Sequence, residues 1–512
     1  MDDLTDAAAR RDPREPLEPV RDPVREPVTA TREPAYAAPG GSGGSDGFFR
    51  LRERGSNVST EVRAGLTTFM VMAYIIFVNP NILSSGPLDG LGPPFLPVAV
   101  ATALAAGILT IAMGLATNYP FAMAAGLGLN AVVAFELILT RGFTWQEAMA
   151  VIIWEGIIIL ILVITGLRQA IMEAIPLNLK RAIAVGIGLF ILFIGLVNGG
   201  IVAQGQGTPV TYAGVTNAAG LTFVIGLAIA LALIALRVRG ALLISILVTT
   251  IVAVVLNSIA GADAGFAPGT ATLPSDASGY FFNFDAANFQ TIFQPIGAML
   301  DVFTAAPFII VALVIFSLML SDFFDTMGTV VGVGEQAGLV DPNGRLPGIG
   351  RVLTVDSVGA ILGGAFGVSS NTTYIESAAG VGEGGRTGLT AVVTGVLFLL
   401  AILIAPIAGI VPAQATAPAL VIVGYLMFAA AQNWVWGDID EMFPVLVTAI
   451  VMPLTFTITT GIAAGFVTYV FLKLVRGRAG EVHPLMWLAS IAFLVYFALP
   501  WIQILVTAQP AA

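Results

Sequence analysis

Apolar segments long enough to cross a bilayer follow one another along most of the chain. A transmembrane helix needs about 20 mainly apolar residues, and long apolar runs between short polar turns are typical of polytopic membrane proteins. The pattern predicts fourteen segments, at 62–83, 96–117, 121–139, 148–166, 178–198, 220–236, 240–259, 304–330, 350–366, 371–384, 388–409, 417–432, 441–457 and 459–475. A further apolar stretch, 485–508, follows them.

Basic residues lie mainly in alternate loops between these segments. Cytoplasmic loops of membrane proteins are enriched in Lys and Arg, and four arginines before or at the first segment indicate a cytoplasmic N-terminus: Arg50, Arg52, Arg54 and Arg63. The predicted inner loops carry Arg168, Lys180, Arg181, Arg237, Arg239, Arg345, Arg351, Arg386, Lys473, Arg476 and Arg478. Arg141 is the exception on the outside. The distribution predicts fourteen crossings up to Arg478, and leaves three possibilities open. In the first, stretch 485–508 crosses the membrane and places the C-terminus outside. In the second, this stretch lies along the membrane interface. In the third, two of the earlier segments form one broken helix.

The composition excludes several classes of protein. Of the 512 residues, 57% are hydrophobic and 11% are charged, whereas about a quarter of the residues in soluble domains are charged. Without cysteine, and with His483 as the single histidine, neither a disulfide framework, a thiolate or His-based zinc site nor a Ser/His/Asp triad is available. The net charge of −10 and the scattered basic residues argue against nucleic acid as a partner.

The chain divides into four parts. Residues 1–46 repeat Arg, acidic residues and Pro and then run into a Gly/Ser stretch; this composition predicts a disordered arm and lacks the apolar region of a signal peptide. The connection 261–303 has seven predicted segments on either side. An odd number places the two halves, 47–260 and 304–512, in opposite orientations, as in the inverted repeats of secondary transporters. The connection is predicted to be extracytoplasmic.

Two acids lie at predicted membrane depth. Ser321–Gly338 reads SDFFDTMGTVVGVGEQAG and follows an apolar run over 305–320. Intramembrane acids usually face a cavity and mark an ion or substrate path, and at a spacing of i, i+3 Asp322 and Asp325 share one helix face. The alternative is that both acids cap a helix end at the interface.

The third segment of each half is interrupted by glycine. Thr117–Phe135 reads TNYPFAMAAGLGLNAVVAF and contains Asn130; Gly363–Gly385 reads GGAFGVSSNTTYIESAAGVGEGG and contains Glu376. Interrupted segments at corresponding positions of two halves are typical of the binding site of a secondary transporter. Their exposed backbone is tolerated in a membrane only where it lines a cavity or is buried in protein, and helix N-termini attract negatively charged groups.

These stretches, with RAGLTTFMVMAYIIFVNPNIL and AAGLGLNAVVAF, closely resemble the AzgA-like adenine/guanine/hypoxanthine permeases of the nucleobase–cation symporter-2 family over about residues 50 to 505. The resemblance implies an all-α polytopic membrane protein with about fourteen segments in a seven-plus-seven inverted repeat. Segments 1–4 and 8–11 form a core domain, segments 5–7 and 12–14 form a gate domain, and segments 3 and 10 are short strand-plus-helix elements. It also implies a homodimeric nucleobase:proton symporter of the cytoplasmic membrane, working by an elevator-like movement of core against gate.

The resemblance also implies site residues. Asn130, Asp322 and Glu376 match polar residues of the third, eighth and tenth segments, and Asp325 matches a second, supporting acid. A purine presents N–H donors and ring-nitrogen acceptors on a flat edge, which carboxyl and amide groups can bind. We therefore expect Asp322 and Glu376 to contact the base with Asn130 and the backbone around Leu129 and Thr372. Asp322, Glu376 and Asp325 are the candidates for proton coupling, and no cofactor is expected beyond the proton gradient.

Three other functions are each compatible with part of the sequence. A sister-branch uracil or xanthine/urate carrier has the same fold, but NTTYIESAAG differs from the tenth-segment motif of those branches. An anion exchanger or channel of this fold requires a positive centre, and segments 3, 8 and 10 contain no Lys or Arg before Arg386. A membrane-embedded enzyme could use a carboxylate pair, but no nucleophile, metal set or cofactor motif accompanies the acids. Among purines, the sequence does not select adenine, guanine or hypoxanthine.

Overall fold

The computed structural model describes residues 47–167, 174–283, 285–341, 346–434 and 436–507. The predicted arm, 1–46, lies outside the described residues, as do Arg168 and Arg345. Helices make up most of the described chain, as predicted.

The first half contains a helical element at each of the seven predicted segments. In order, these elements are α1 (Val58–Met72), α2 (Ile75–Ser84), α3 (Phe95–Thr117), β1 (Met123–Ala125), α4 (Leu127–Ala131) with a π-helix over Val132–Thr140, α5 (Trp145–Thr165), α6 (Leu177–Asn198), β2 (Val202–Ala203), β3 (Thr211–Tyr212), α7 (Ala218–Ala235) and α8 (Ala241–Ala260). The first predicted segment is two helices, α1 and α2, which meet at Ala73 and Tyr74.

The second half repeats this order after a connection that contains two short helices, α9 (Gln294–Gly297) and α10 (Val302–Ala305). Its elements are α11 (Phe308–Gln336), α12 (Ile349–Phe366), β4 (Asn371–Thr373), α13 (Ser377–Gly382), α14 (Gly388–Ala401) with a 3₁₀ helix over Ile402–Ile410, α15 (Ala413–Phe428), α16 (Ile439–Thr455), α17 (Ile458–Val475) and α18 (Pro484–Thr507). In both halves a short strand and a short helix occupy the third position.

Eleven helical spans in the described residues are long and apolar enough to cross a membrane. Three predicted segments are not among these eleven spans, and the structure shows why each is too short. Segments 3 and 10 are each divided between a strand and a short helix, and α16 has only 17 residues with Pro444 and Pro453 inside it. The membrane-spanning fold is therefore confirmed, and these three segments are shorter than the uniform helices that the apolar pattern alone predicts.

Polar contacts group the predicted inner loops at one end of the helices. Arg54 donates to the carbonyl oxygens of Asn118 (2.5 Å) and Arg386 (3.0 Å). Glu383 pairs with Arg63 (3.2 Å) and with Arg239. All of these residues lie in loops or at segment ends that were predicted to share one side, so the alternation of segment directions agrees with the charge pattern.

The direction of α18 indicates whether stretch 485–508 crosses the membrane. Ser490 Oγ donates to the carbonyl oxygen of Phe466 in the middle of α17 (3.2 Å), and Tyr496 accepts a hydrogen bond from Arg141 at the opposite end of the helices (2.7 Å). The helix therefore runs from the end that carries Arg478 toward the end that carries Arg141. This direction favours a fifteenth crossing over a helix that lies along the interface.

Candidate functional site

The two interrupted segments meet through their strands. β1 and β4 pair antiparallel, with Met123 opposite Thr373 and Ala125 opposite Asn371. The pairing continues beyond the strands, because Gly126 N–H donates to Ser370 O and Tyr374 N–H donates to Ala122 O, both at 2.9 Å. The backbone groups that the interrupted helices leave free thus bond to each other, which is what membrane depth requires.

A glycine of α12 makes room for this strand pair. A Cβ atom at Gly363 would lie 2.1 Å from the carbonyl oxygen of Ser369 and 2.4 Å from the Asn371 side chain. Any larger residue there would push the chain away from α12. The glycine is therefore required by the close approach of β4 to the helix that precedes it.

Helices α4 and α13 begin directly after the two strands. The N-terminal end of a helix carries unpaired N–H groups and a partial positive charge. Leu127 starts α4 and Glu376 is the residue before the first turn of α13. Both helix starts border a cavity of about 470 Å³, a volume in the range of small-molecule sites.

The cavity is lined by six parts of the chain. They contribute Tyr74 from the junction of α1 and α2; Gly126, Leu127, Gly128 and Leu129 from segment 3; Ser321, Phe324, Asp325, Gly328 and Thr329 from α11; Thr373, Tyr374, Ile375 and Glu376 from segment 10; and Ala184, Ile187, Val423, Leu426, Met427 and Ala430 from α6 and the region of α15. The residues from α6 and the region of α15 are apolar, and segment 3 contributes only glycine and leucine. The polar side chains of the lining therefore come from the α1–α2 junction, α11 and segment 10.

Two acids face this cavity. Glu376 Oε1 accepts a hydrogen bond from the Tyr74 hydroxyl at 2.7 Å, so one carboxylate oxygen is positioned by the first segment. Asp325 lines the same cavity from α11, close enough for its charge to interact with that of Glu376. Tyr74, Phe324 and Tyr374 add aromatic surface, and the Tyr374 hydroxyl donates to Ala125 O. The cavity thus combines carboxylate acceptors with flat apolar walls.

The predicted site residues fall into two groups, one that lines the cavity and one, the buried layer, that lies behind it in the protein interior. Leu129, Asp325 and Glu376 line the cavity. Asn130, Asp322 and Thr372 are buried and lie outside that lining. Asp322 and Asp325 both sit well inside α11, so neither caps a helix end, which removes the alternative considered for them.

Asp356 was missed by the sequence analysis, although it organises the buried layer. Its Oδ2 accepts from Thr326 Oγ1 (2.8 Å), and its Oδ1 accepts from the N–H and the hydroxyl of Thr373 (both 3.0 Å). Thr326 and Thr372 share a further hydrogen bond of 2.6 Å. A single acid within an apolar segment was the available signal, since Asp356 lies inside predicted segment 350–366.

Comparison with known proteins places these features in one family. The profile described as Permease family matches residues 59–464. The guanine/hypoxanthine permease PbuO of Bacillus subtilis (strain 168) is 39% identical over 452 residues, covering 88% of this chain and 99% of PbuO. The adenine permease AdeQ of Escherichia coli (strain K12) is 39% identical over 437 residues, covering 85% of this chain and 92% of AdeQ.

Solved structures share the fold at low sequence identity. The transmembrane domain of the cyanobacterial bicarbonate transporter BicA aligns with a TM-score of 0.53 at 13% identity, covering 80% of this chain and 97% of that domain. SLC26A9 aligns with a TM-score of 0.52 at 12% identity, covering 82% of this chain and 65% of SLC26A9. Together with the sequence matches, these findings confirm the family resemblance. The chain belongs to the permease family, in the AzgA-like branch of the nucleobase–cation symporter-2 family.

Proposed function

We propose that the protein is a secondary transporter of the cell membrane that imports purine nucleobases, namely adenine, guanine or hypoxanthine, together with protons. The observation that carries this proposal is the pair of acids, Asp325 and Glu376, in a cavity between the two interrupted segments. The names of relatives such as PbuO and AdeQ support the substrate class.

The cavity suits a flat, neutral base. Glu376 holds one oxygen toward Tyr74, which leaves its second oxygen to accept a purine N–H. Asp325 supplies a second acceptor, and the aromatic side chains and Leu129 offer surfaces for the faces of the ring. Direct contact of Asn130, Asp322 and Thr372 with the base stays a prediction, as does a role of Asp322, Glu376 or Asp325 in proton coupling.

The position of the cavity supports movement of a core domain against a gate domain. In the structure's labels, the proposed core consists of α1–α5 and α11–α14, and the proposed gate consists of α6–α8 and α15–α17. All of the polar lining comes from the proposed core, and the lining contributed by the proposed gate is entirely apolar. A substrate held at this boundary would travel with the core. We also propose that the protein forms a homodimer and that its N-terminus is cytoplasmic.

An anion exchanger is the second candidate, because BicA and SLC26A9 share the fold. Anion binding requires a positive centre. Among the described residues that line the cavity none is Lys or Arg, and two are acids. This electrostatic arrangement favours a neutral base over an anion.

Uptake in cells that lack their own purine carriers tests the proposal. Radiolabelled adenine, guanine and hypoxanthine would each be competed by the other two, by uracil and by xanthine, with and without a protonophore. We expect uptake of at least one of the three purines that falls when the protonophore is added. If none of them enters the cells, the purine assignment is wrong, and inhibition by uracil or xanthine alone would favour a sister-branch carrier.

A crosslink between core and gate is expected to stop transport. Arg239, in the loop between α7 and α8, pairs with Glu383 at the end of α13. Because the chain has no native cysteine, R239C/E383C can be joined selectively by a short, reducible bis-methanethiosulfonate. The double variant loses the ion pairs of Glu383 with Arg239 and with Arg63. Each such pair with an exposed arginine contributes about 0–1 kcal/mol, so the reduced double variant should remain active.

We expect the crosslinked protein to lose uptake and to regain it on reduction. The matched control is Q146C/Q294C, whose native side chains approach within 3.5 Å on α5 and α9 without joining core to gate. Crosslinking this pair should leave uptake intact. Full activity of crosslinked R239C/E383C would contradict the proposed movement.

A further inference from the structure

Glu155 is a buried acid that the substrate cavity does not use. It lies at the middle of α5 and its residue is 0% exposed. Within the described part of the chain, neither of its carboxylate oxygens has a hydrogen-bond partner. An ionised carboxylate without water or donors is strongly unfavourable, so this side chain requires either a bound cation or a proton.

The groups that face Glu155 are acids from two other helices. Asp322 of α11 and Asp356 of α12 are both buried and lie close enough for their charges to interact with that of Glu155. The short helices α9 and α10, which also pack on α5, contain no titratable side chain. Glu136, on the π-helix that contacts α5, is paired with Arg141 at 2.8 Å. The cluster of Glu155, Asp322 and Asp356 therefore brings three negative charges together, and no basic side chain of the described residues has a described interaction with Glu155.

The occupant that best fits this cluster is a proton. In the described residues, no group of three acidic or histidine side chains is arranged to hold a metal ion. Like charges in a low-dielectric interior repel strongly, and binding one proton as a carboxyl O–H removes one of the three charges. Glu155, whose oxygens are free of other bonds, is the member best able to accept it.

The cluster is connected to the substrate cavity through Asp356. Asp356 accepts two hydrogen bonds from Thr373, and Thr373 lines the cavity. Thr373 is followed by Tyr374 and, two residues further on, by Glu376. A change in the charge of the cluster thus acts on β4, the strand that precedes the substrate-binding acid Glu376.

We propose that Glu155, with Asp322 and Asp356, binds the proton that is transported with the substrate, at a site separate from the substrate cavity. The inference rests on the proposed proton-coupled transport. On loading, a hydronium ion of the outer aqueous phase gives up one O–H bond and Glu155 forms one, leaving water. After the core has moved, the Glu155 O–H bond breaks and the proton passes to water of the inner phase, which restores the carboxylate.

Full-length protein in liposomes tests the inference through two assays. Counterflow exchange of labelled for unlabelled purine requires substrate binding and core movement but no net proton transfer. Accumulation driven by a pH gradient requires the coupled proton. We expect Glu155→Gln to retain exchange, to lose accumulation and to lose the pH dependence of exchange. Glu147→Gln, a change of the same type at the exposed first turn of α5, should behave like the wild type.

Glu155→Asp separates proton binding from packing, and it serves equally if the glutamine variant does not fold. Because it keeps a carboxyl group, we expect accumulation to persist with a shifted pH profile. Wild-type accumulation and an unshifted pH profile in both Glu155 variants would overturn the inference, as would loss of exchange by folded Glu155→Gln. Failure of the wild-type protein to transport any purine, or its dependence on sodium instead of protons, would instead refute the proposed function.

Discussion

Glu376→Gln is expected to abolish purine uptake at low substrate concentration. The substitution keeps the size of the side chain but replaces one acceptor oxygen by an NH₂ donor. This NH₂ group would face another donor, either the Tyr74 hydroxyl or the purine N–H. Glu376 Oε1 already accepts from Tyr74 at 2.7 Å, so the amide cannot satisfy both partners. Hydrogen bonds to charged groups contribute about 1.5–3 kcal/mol, which predicts roughly 10- to 100-fold weaker binding.

Binding and uptake of radiolabelled purine by purified and reconstituted protein measure this effect. The matched control is Glu335→Gln, because Glu335 is an exposed acid near the end of α11 and lies outside the cavity lining. It should retain wild-type binding. Unchanged affinity in Glu376→Gln would contradict the placement of the base edge at this carboxylate.

The sequence predicted the interrupted segments because glycine, proline and polar residues break their apolar pattern. Gly126 and Gly128 follow β1, and Gly363 lies where β4 approaches α12. The antiparallel pairing of Met123 with Thr373 joins residues far apart in the chain. The local pattern therefore indicated where helices break, and the resemblance supplied the expectation that the two breaks face each other.

The sequence did not separate the roles of the two acids in α11. A spacing of i, i+3 places Asp322 and Asp325 near one face, but their side chains still differ in direction by a fraction of a turn. That difference puts Asp325 at the cavity and leaves Asp322 buried, where its charge interacts with that of Glu155. Which acid meets the cavity depends on how α11 is rotated against its neighbours, and this information is not present in the local pattern.

Residues that act through distant partners were the least predictable. Tyr74 and Glu376 form a hydrogen bond across 302 positions of the chain, and Tyr74 reads as one apolar position among many in predicted segment 62–83. The direction of α18 likewise follows from its contacts with α17 and Arg141. In both cases tertiary packing determines the contact, and the periodicity of a single segment does not encode that packing.

Asp356→Ala is expected to lose both uptake and thermal stability, because Asp356 fixes the strand that precedes Glu376. Its carboxylate accepts from Thr326 and twice from Thr373 in a buried site. Each buried donor left without an acceptor costs about 1–3 kcal/mol, and a displaced β4 would move Tyr374 and Glu376 out of the cavity wall.

Asp356→Asn keeps one acceptor oxygen, so its loss of stability should be smaller than that of Asp356→Ala. Thr354→Ala is the control on the same helix, because the Thr354 hydroxyl donates to Gly350 O, one turn earlier, among the described residues. It should leave both properties close to the wild type. Thermal unfolding in detergent and uptake in liposomes measure the two effects separately. Wild-type stability of Asp356→Ala would show that β4 is held by its pairing with β1 alone, and would remove the link between the buried acids and the substrate cavity.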